Sequence, residues 1–534
     1  MKKSVFVRFV LMALVLCMTV GLLAACNNDK TPEESTPQAT TPPSGGTQNE
    51  EAEKYLPEQK DFGNYELYLL LQSEYDPDNY EYFESLNGLN GDAISQAFYE
   101  RDDFLKEHFN IAITLEKTEG TGSNRAPAKI RKAMDSDEDT YDIAFLLNGM
   151  RQNVPYGDCL DVSNVSQLNL EASYWDQDLQ KSWALDDMIF ALEGDYNILD
   201  ELCTMGVFYN RQLYTDYSYE DTYGSPYEIV SAGDWTLDLM LEMMKDTSSS
   251  DGQLTEEDRW GALIPSYYGA HAFLVGGGYR VSQSDGETTV CNLLDTTYFN
   301  NTFDALRKII ETLHYDNREV LWDSNTSVLQ TTGISEMFAA NQALFIVGVL
   351  ETGLKFRDME AGYGILPMPK LVSTEEGQTD YHCFVLLGSH APMYFPKTNV
   401  THDHLETTAA LAEAMCYYSR YVPANATMSL YDAFYEKMTV AKLCRAPEDY
   451  KMMELIYFSK AYCLDSAVEF TDIPRLSMHI TYDGVLNYGY EDRYTMHVSY
   501  GTLRSNMTTL RQNAQATMDL YMNNVHQNVM QMPE

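Results

Sequence analysis

Basic residues are scarce in this sequence. It holds 36 Lys and Arg against 80 Asp and Glu, which gives a formal net charge of −44. Phosphate binding needs clustered Lys and Arg, so this charge balance argues against a nucleic-acid-binding protein. It argues more weakly against an anionic ligand, because a single local Arg can override the field of the whole molecule.

Common catalytic signatures are missing as well. The chain has no HExxH, GxSxG, P-loop or GxGxxG motif, so none of the usual catalytic or nucleotide-binding patterns is present. It also has no CxxC pair. Apart from Cys17 and Cys26, seven cysteines are scattered along the chain. Most of them lie in apolar or helical contexts, where a free Cys behaves as a small hydrophobic residue.

Only one long apolar run is present, and it lies at the amino end. Residues 5–25 follow two lysines and are apolar except for Arg8, which is the layout of a secretory signal peptide. The run is almost long enough to span a bilayer, so a retained helical anchor is the alternative. Its end, Leu-Ala-Ala-Cys26, resembles the bacterial lipobox. That resemblance implies cleavage of residues 1–25 and attachment of a diacylglycerol to Cys26, with palmitate as an expected acyl chain.

A polar segment follows the apolar run. Residues 26–59 are rich in Thr, Pro, Ser, Gln and Glu and have almost no large apolar side chain. Such a segment cannot bury enough surface to offset its conformational entropy, which predicts a flexible tether. The remainder of the 534-residue chain is long enough for a large core and more than one domain. With a lipid on Cys26, this body is expected at the extracellular face of a bacterial membrane.

The body begins with alternating strand and helix patterns. Apolar strands are predicted at Tyr65–Leu71, 111–115 and 141–147, and helices at 93–109 and 127–134. Strand, helix, strand, helix, strand within about ninety residues indicates βαβ units and a parallel sheet. Further strands are predicted at 188–192 and 207–210, and the tail beyond residue 432 has a mainly helical pattern.

Six short segments of the body carry a family resemblance. They lie in order at 109–111, 206–213, 233–236, 273–279, 337–345 and 363–370. The second reads Tyr-Asn-Arg211-Gln-Leu, with Arg211 where Lys is usual, and the last reads Gly-Ile-Leu-Pro-Met-Pro-Lys. Together they resemble the extracellular solute-binding proteins of carbohydrate ABC transporters, family 1, the group that includes maltose-binding protein. The resemblance extends over roughly residues 65–423, and the long tail is similar to that of Gram-positive members.

This resemblance implies a two-lobed α/β fold of the type II periplasmic-binding-protein class, each lobe a mainly parallel sheet flanked by helices, with a helical C-terminal part. One lobe would comprise 60–190 with 345–397, and the other 191–344 with 398–534. It further implies a small polar ligand, a mono- or oligosaccharide, held between the lobes. The expected partners are ABC permease subunits, and the protein is expected to be a monomer without enzymatic activity, cofactor or metal.

Ligand residues are expected directly after strands, where the cleft of such a fold lies. A sugar needs aromatic faces for its C–H surface and polar groups for its hydroxyls. Asp195 and Tyr196 follow the strand predicted at 188–192 and are the first candidates. In relatives a tyrosine near the position of Tyr267 or Tyr268 stacks on sugar. Similar reasoning, by position or residue type, adds Glu351, Tyr381, His382, Tyr75 and Trp175. For each aromatic candidate, a place in the core is the alternative.

Other functions use some of the same residues. Glu193 and Asp195 are two apart, and paired carboxylates can perform glycosidase chemistry, so a surface glycan hydrolase is one alternative. A binder of peptides or other polar solutes on the same scaffold is another. His402, Asp403 and His404, with Glu406, could bind a metal, but they stand just before a predicted helix, where Asp and His commonly cap. The sequence therefore favours a protein with no catalytic residue and no metal site.

Overall fold

The structure is a computed structural model that describes residues 45–72, 92–118, 125–249, 258–265, 268–313, 320–323, 333–386, 390–468 and 500–529. The chain divides into two units, Met1–Glu51 and Ala52–Glu534. Of the first unit only residues 45–51 are described. The sheets formed by the described residues all belong to the second unit.

The strands are short and numbered here in chain order. They are β1 Tyr65–Leu71, β2 Ile111–Lys117, β3 Ile143–Phe145, β4 Met205–Asn210, β5 Trp260–Pro265, β6 Ser282–Ser284, β7 Thr289–Cys291, β8 Val320–Asp323, β9 Ala343–Val349, β10 Tyr363–Leu366, β11 Cys383–Phe384, β12 Met393–Tyr394 and β13 Lys460–Ala461.

Helices make up most of the remaining described chain. They are α1 Gly45–Lys54, α2 Ala93–Phe109, α3 Arg125–Ser136, α4 Gly149–Gln152, α5 Gln177–Trp183, α6 Leu199–Leu202, α7 Arg211–Asp216, α8 Tyr219–Tyr223, α9 Pro226–Ala232, α10 Leu237–Thr247, α11 Gly269–Gly276, α12 Thr296–Thr312, α13 Ile334–Ala339, α14 Thr398–Thr401, α15 Leu405–Arg420, α16 Leu430–Asp432, α17 Pro447–Phe458, α18 Leu464–Val468 and α19 Tyr500–Asn528. Short 3₁₀ helices occupy Val154–Tyr156, Asn292–Leu294 and Leu350–Phe356, and a π-helix occupies Ala433–Leu443.

The first sheet has the strand order β12–β3–β1–β2. β1 pairs in parallel with both β2 and β3, and β12 pairs antiparallel with β3. Helices α2 and α3 connect the parallel strands, so the predicted βαβ units are confirmed. Side chains alternate across β1: Leu69 and Leu71 face one hydrophobic cluster, and Leu70 faces another.

Helix α2 shows how local sequence sets such an element. The Asp92 side chain accepts a hydrogen bond from the Ile94 backbone N–H and caps the first turn. Phe98 and Leu105 are buried on one face of the helix. Asn110 ends the helix with φ 51°, a left-handed conformation that asparagine adopts more readily than most residues.

The second sheet has the order β10–β4–β9–β5–β8. β5 is parallel to β8 and β9, whereas β4 is antiparallel to both of its neighbours, β9 and β10. This sheet is therefore mixed rather than mainly parallel.

The strand predicted at 188–192 is not formed as a strand. Its residues make only isolated bridges, Leu185 with Met188 and Leu192 with Met393. The neighbouring strand β12 is only two residues long, so a longer ladder has no partner. The predicted tether also ends early, because Gly45–Lys54 is helical and Tyr55 is buried. Gln, Glu, Ala and Lys in that stretch are good helix formers.

The lobe boundaries remain a prediction. In two places the strand pairing and helix packing group residues differently from those predicted boundaries. Strands β9 and β10, assigned by sequence to the lobe of residues 60–190, pair in the second sheet with β4 and β5. Helix α15, assigned to the other lobe, packs into the cluster that contains Leu69 and Leu71 of β1. Sequence order alone does not reveal which sheet receives a returning segment.

Candidate functional site

Two segments connect the sheets. The chain leaves the first sheet at Leu192, which bridges Met393, and reaches the second at Thr204, which bridges Val385. The outgoing and returning segments therefore run antiparallel to each other. The parallel pair β11–β13 lies beside them, since Leu386 donates its backbone N–H to Cys203 O. The term crossing region is used below for residues 192–204, 383–386, 390–393 and 460–462.

A buried carboxylate–imidazole pair lies in the crossing region. Glu193 and His390 are both 0% exposed, and His390 Nδ1 lies 3.3 Å from Glu193 Oε2. The other carboxylate oxygen, Glu193 Oε1, accepts hydrogen bonds from Asn197 Nδ2 at 3.0 Å and from the Tyr196 hydroxyl at 3.3 Å. Burial raises the pKa of Glu193, and His390 opposes that rise. His390 Nε2 takes no part in this contact and has no hydrogen-bond partner among the described residues.

A second buried group is centred on Lys460. Its ammonium lies 2.7 Å from Asp176 Oδ2, 2.5 Å from Asp200 Oδ2 and 3.7 Å from Glu201 Oε1. The Tyr462 hydroxyl donates to Asp176 and Asp200 as well, at 3.0 and 2.8 Å. Burial would raise the pKa of Asp200, but Lys460 and these hydrogen bonds hold it well below its ordinary value. Burial and the neighbouring Asp200 raise the pKa of Glu201. We term these residues the Lys460 cluster.

Sequence reasoning did not single out Lys460. A signal was present, because Lys460 is the only charged residue in the stretch 455–464, which is otherwise apolar and aromatic except for Ser459. A lone Lys in such a stretch is rarely buried unless it is paired. The pattern could therefore have predicted a buried ion pair, but not its partners, which lie about 260 to 284 residues earlier in the chain.

Asp195, a predicted ligand residue, forms an ion pair with Arg420. Arg420 also donates to Ser173 O at 2.8 Å and stacks over the Tyr431 ring at 3.9 Å. Burial raises the pKa of Asp195 to about 6, against the lowering effect of Arg420. At neutral pH both members of the pair are charged, and they join helix α15 to the outgoing crossing segment. A ligand role for Asp195 stays a prediction.

Tyr196 and Trp175 are each 1% exposed. The Tyr196 hydroxyl donates to Leu192 O and Glu193 Oε1, both at 3.3 Å, and Trp175 Nε1 donates to Glu413 Oε2 at 2.9 Å. The backbone of Asp195 bonds Tyr174 O, so the structure brings these three predicted residues close together. Their ligand roles stay predictions, and the hydrogen bonds give Tyr196 and Trp175 a structural role.

Tyr381 and His382 precede β11. The Tyr381 hydroxyl donates to Val230 O at 2.9 Å, and the Lys370 ammonium lies 4.4 Å from the centre of its ring. His382 is half-buried beside Gly278. The backbone of Gly278 has φ 83°, and a Cβ atom added there would lie 3.6 Å from the His382 imidazole. Burial, followed by the charge of Arg280, lowers the pKa of His382 to about 4. His382 is therefore neutral at pH 7, as a hydrogen-bonding imidazole should be.

Two further candidates share one edge of the second sheet. Tyr268 follows β5 and Glu351 follows β9, and these strands are parallel neighbours. Because parallel strands end at the same edge, the two residues lie at the edge where ligands bind in α/β sheets. Both are half-buried. Tyr75, Tyr267 and Cys26 lie outside the described residues.

The histidines considered as metal ligands have other partners. His404 lies 2.8 Å from Asp139 and 3.1 Å from Asp142, and Tyr65 also bonds it at 3.0 Å. In the part of the chain that the structure describes, no three His, Cys, Asp or Glu side chains are grouped as metal ligands. None of the described helices combines the length and the apolar composition needed to cross a bilayer. The seven cysteines beyond Cys26 are free and buried.

Comparison with solved structures shows a shared fold. An ABC substrate-binding protein from Listeria monocytogenes, in complex with cycloalternan, matches with a TM-score of 0.51 and 11% identity, over 85% of this chain and 99% of that one. The lacto-N-biose-binding protein of an ABC transporter from Bifidobacterium longum matches with a TM-score of 0.48 and 11% identity, over 88% and 100%. The maltodextrin-binding domain from Bdellovibrio bacteriovorus, bound to maltotriose, matches with 0.44 and 12%, over 86% and 99%.

No family model and no curated protein matches the sequence. At 11% identity, the similarity to the Listeria protein shows the fold and nothing finer. It confirms the predicted two-lobed, type II periplasmic-binding-protein fold, with α/β lobes built on the two sheets described above.

Proposed function

We propose that this protein is the extracellular solute-binding component of an ABC importer and that it binds a mono- or oligosaccharide between its lobes. The observation that carries the proposal is the fold, in which two separate sheets are joined by antiparallel crossing segments. Such connections allow two lobes to hinge over a small ligand. The ABC substrate-binding protein of the same fold supports this assignment over nearly its whole length.

A neutral sugar fits the chemistry of the chain better than an anion. The net charge of −44 repels anions in general. Tyr268 and Glu351, at the carboxyl edge of the second sheet, offer an aromatic face and a carboxylate, the two group types that sugars need. The protein acts as a monomer beside ABC permease subunits and performs no chemistry on its ligand.

The proposal predicts stabilisation by neutral oligosaccharides. Full-length protein in detergent is heated with cycloalternan, lacto-N-biose or maltotriose as probes. We expect at least one to raise the melting temperature, because a ligand at a hundred times its Kd stabilises the folded state by about 2.7 kcal/mol. Amino acids and short peptides form the second arm. Protection by a peptide alone would favour the peptide-binding alternative, and release of shorter sugars from the oligosaccharide would contradict a pure binding role.

We also propose that Cys26 anchors the protein to the extracellular face of the membrane through a lipid. The support is the lipobox-like sequence that ends the apolar run. In a bacterial host, Cys26→Ala should abolish incorporation of labelled palmitate and leave the uncleaved leader on the chain. Cys17→Ala, inside the leader, is the matched control and should label normally. Labelling of Cys26→Ala to the same extent would refute the lipid attachment.

A further inference from the structure

Several buried polar groups without partners gather beside the crossing region. Trp183 Nε1, Ser282 Oγ, His390 Nε2 and both carboxylate oxygens of Asp465 have no hydrogen-bond partner among the described residues. The four side chains are 3%, 1%, 0% and 1% exposed, respectively. Buried polar atoms are nearly always paired in folded proteins, so these atoms are candidates to bind water or the hydroxyl groups of a ligand. We term these four residues the inter-sheet polar cluster.

The elements that carry the inter-sheet polar cluster pack against one another. Helix α5, which ends at Trp183, packs against both β6 and α18, and these two also pack against each other. The rings of Trp183 and His390 lie 6.0 Å apart, and that of Tyr462 lies 6.3 and 6.0 Å from them. Trp183 precedes the outgoing crossing, whereas Ser282 lies in β6, which pairs with β7 in a separate two-stranded sheet. The cluster therefore lies beside the crossing region, which Trp183 reaches through the ring of His390.

The donors and acceptors of the cluster are complementary to hydroxyl groups. In the tautomer that carries its proton on Nδ1 and donates to Glu193, His390 Nε2 is an acceptor, while Trp183 Nε1–H is a donor. A hydroxyl can accept from the indole and donate to the imidazole at once. Asp465 accepts from further hydroxyls. The backbone N–H groups of Ser282 and Asp465 approach its carboxylate without reaching hydrogen-bond geometry.

The charges around the cluster favour a neutral ligand. Burial raises the pKa of Asp465 to about 6, and the nearby positive charge of Arg280 opposes that rise. Arg280 itself donates to Val275 O and Tyr279 O at 3.1 and 2.9 Å. The negative charge of Asp465 is thus partly balanced, so a cationic ligand gains little. Glu193, paired to His390 on its far side, disfavours an anion.

We propose that the inter-sheet polar cluster binds hydroxyl groups of a neutral carbohydrate, with Trp183 as donor and His390 and Asp465 as acceptors. This inference rests on the proposed sugar-binding function and assigns hydrogen-bonding roles in it to Trp183, His390 and Asp465. Lobe opening exposes the cluster, and closure buries it around the sugar.

The test compares Trp183→Phe and Asp465→Asn with wild type, using full-length protein and the same three oligosaccharides. Isothermal titration should show an affinity 10- to 100-fold lower in each variant, about the effect of losing one hydrogen bond in a buried site. Without sugar, the melting temperature of Trp183→Phe should be unchanged or higher, because a buried unpaired N–H is removed. Trp235→Phe is the matched control, since Trp235 is equally buried and its Nε1 donates to Pro367 O at 2.9 Å.

The outcomes separate this inference from the function it rests on. Unchanged sugar affinity in both variants would overturn the inference while leaving the proposed function intact. A lower melting temperature of Trp183→Phe with unchanged affinity would assign the indole N–H to a buried water only. If none of the oligosaccharides binds wild type, the proposed function and the inference fail together.

Discussion

Replacing Lys460 with methionine should lower the free energy of unfolding by about 3–5 kcal/mol at pH 7, because it leaves buried carboxylates without their cation. Asp176, Asp200 and Glu201 all lie within 4 Å of the Lys460 ammonium, and Asp200 is 2% exposed. The Tyr462 hydroxyl would remain as a donor to Asp176 and Asp200. Urea unfolding followed by far-UV circular dichroism measures the change.

The effect of Lys460→Met should depend on pH in a definite direction. In wild type, Lys460 keeps the pKa of Asp200 below its unfolded value, so this carboxylate stabilises the fold above that value and loses its contribution as the pH falls. Without Lys460, burial raises the pKa of the same group, so ionisation opposes folding. The difference between variant and wild type should therefore shrink as the pH falls from 7 toward about 4, near the unfolded pKa of Asp.

Arg307→Met is the matched control for the loss of one cation. Arg307 is 47% exposed and lies 3.8 Å from both Asp304 and Glu311 on helix α12. Exposed pairs contribute little, so we expect a change within about 0.5 kcal/mol. Equal effects of the two substitutions would mean that the Lys460 cluster is accessible to water, contrary to the burial described above.

The second large effect is expected for Glu413→Leu, at about 3–5 kcal/mol of destabilisation at pH 7. The Glu413 carboxylate is 2% exposed. It accepts hydrogen bonds from the Tyr174 hydroxyl, from Trp175 Nε1, and from both the backbone N–H and Nδ2 of Asn169. Leucine has a similar size but no acceptor, so all four donors would be left unpaired. Each buried unpaired donor costs about 1–3 kcal/mol, with losses that are not additive.

Glu406→Leu, on the same helix α15, is the control for Glu413→Leu. Glu406 is exposed and lies in the first turn of that helix, so we expect a change within about 0.5 kcal/mol apart from the small helix-dipole effect. Double substitution of Glu413→Leu with Trp175→Phe tests the pairing directly. The destabilising effects of the two substitutions should be less than additive, because Trp175→Phe already removes the indole donor that Glu413→Leu would leave unpaired. Full additivity would contradict the hydrogen bond.

The sequence predicted the parallel strands of the first sheet and their connecting helices well, because those features are local. Tyr65–Leu71 is a continuous apolar run, and α2 carries its own cap at Asp92 and its own apolar face. The ligand roles of the candidate residues stay predictions. The structure brings Asp195, Tyr196 and Trp175 close together, and their polar atoms are engaged by Arg420, Glu193 and Glu413. Arg420 and Glu413 are distant in the chain from Asp195 and Trp175, so no local pattern could pair them with these candidates.

By itself the sequence determined the acidic charge, the apolar run that ends at Cys26, the alternation of strands and helices, and hence the class of fold. Charge is a sum over residues, and a strand or helix depends on neighbours a few positions away. Only the tertiary structure decided which polar residues are paired and which are not. Lys460 meets Asp200 across 260 residues, and Trp175 meets Glu413 across 238. Such contacts form only when the sheets are assembled, so burial and hydrogen-bond partners follow from packing rather than from local pattern.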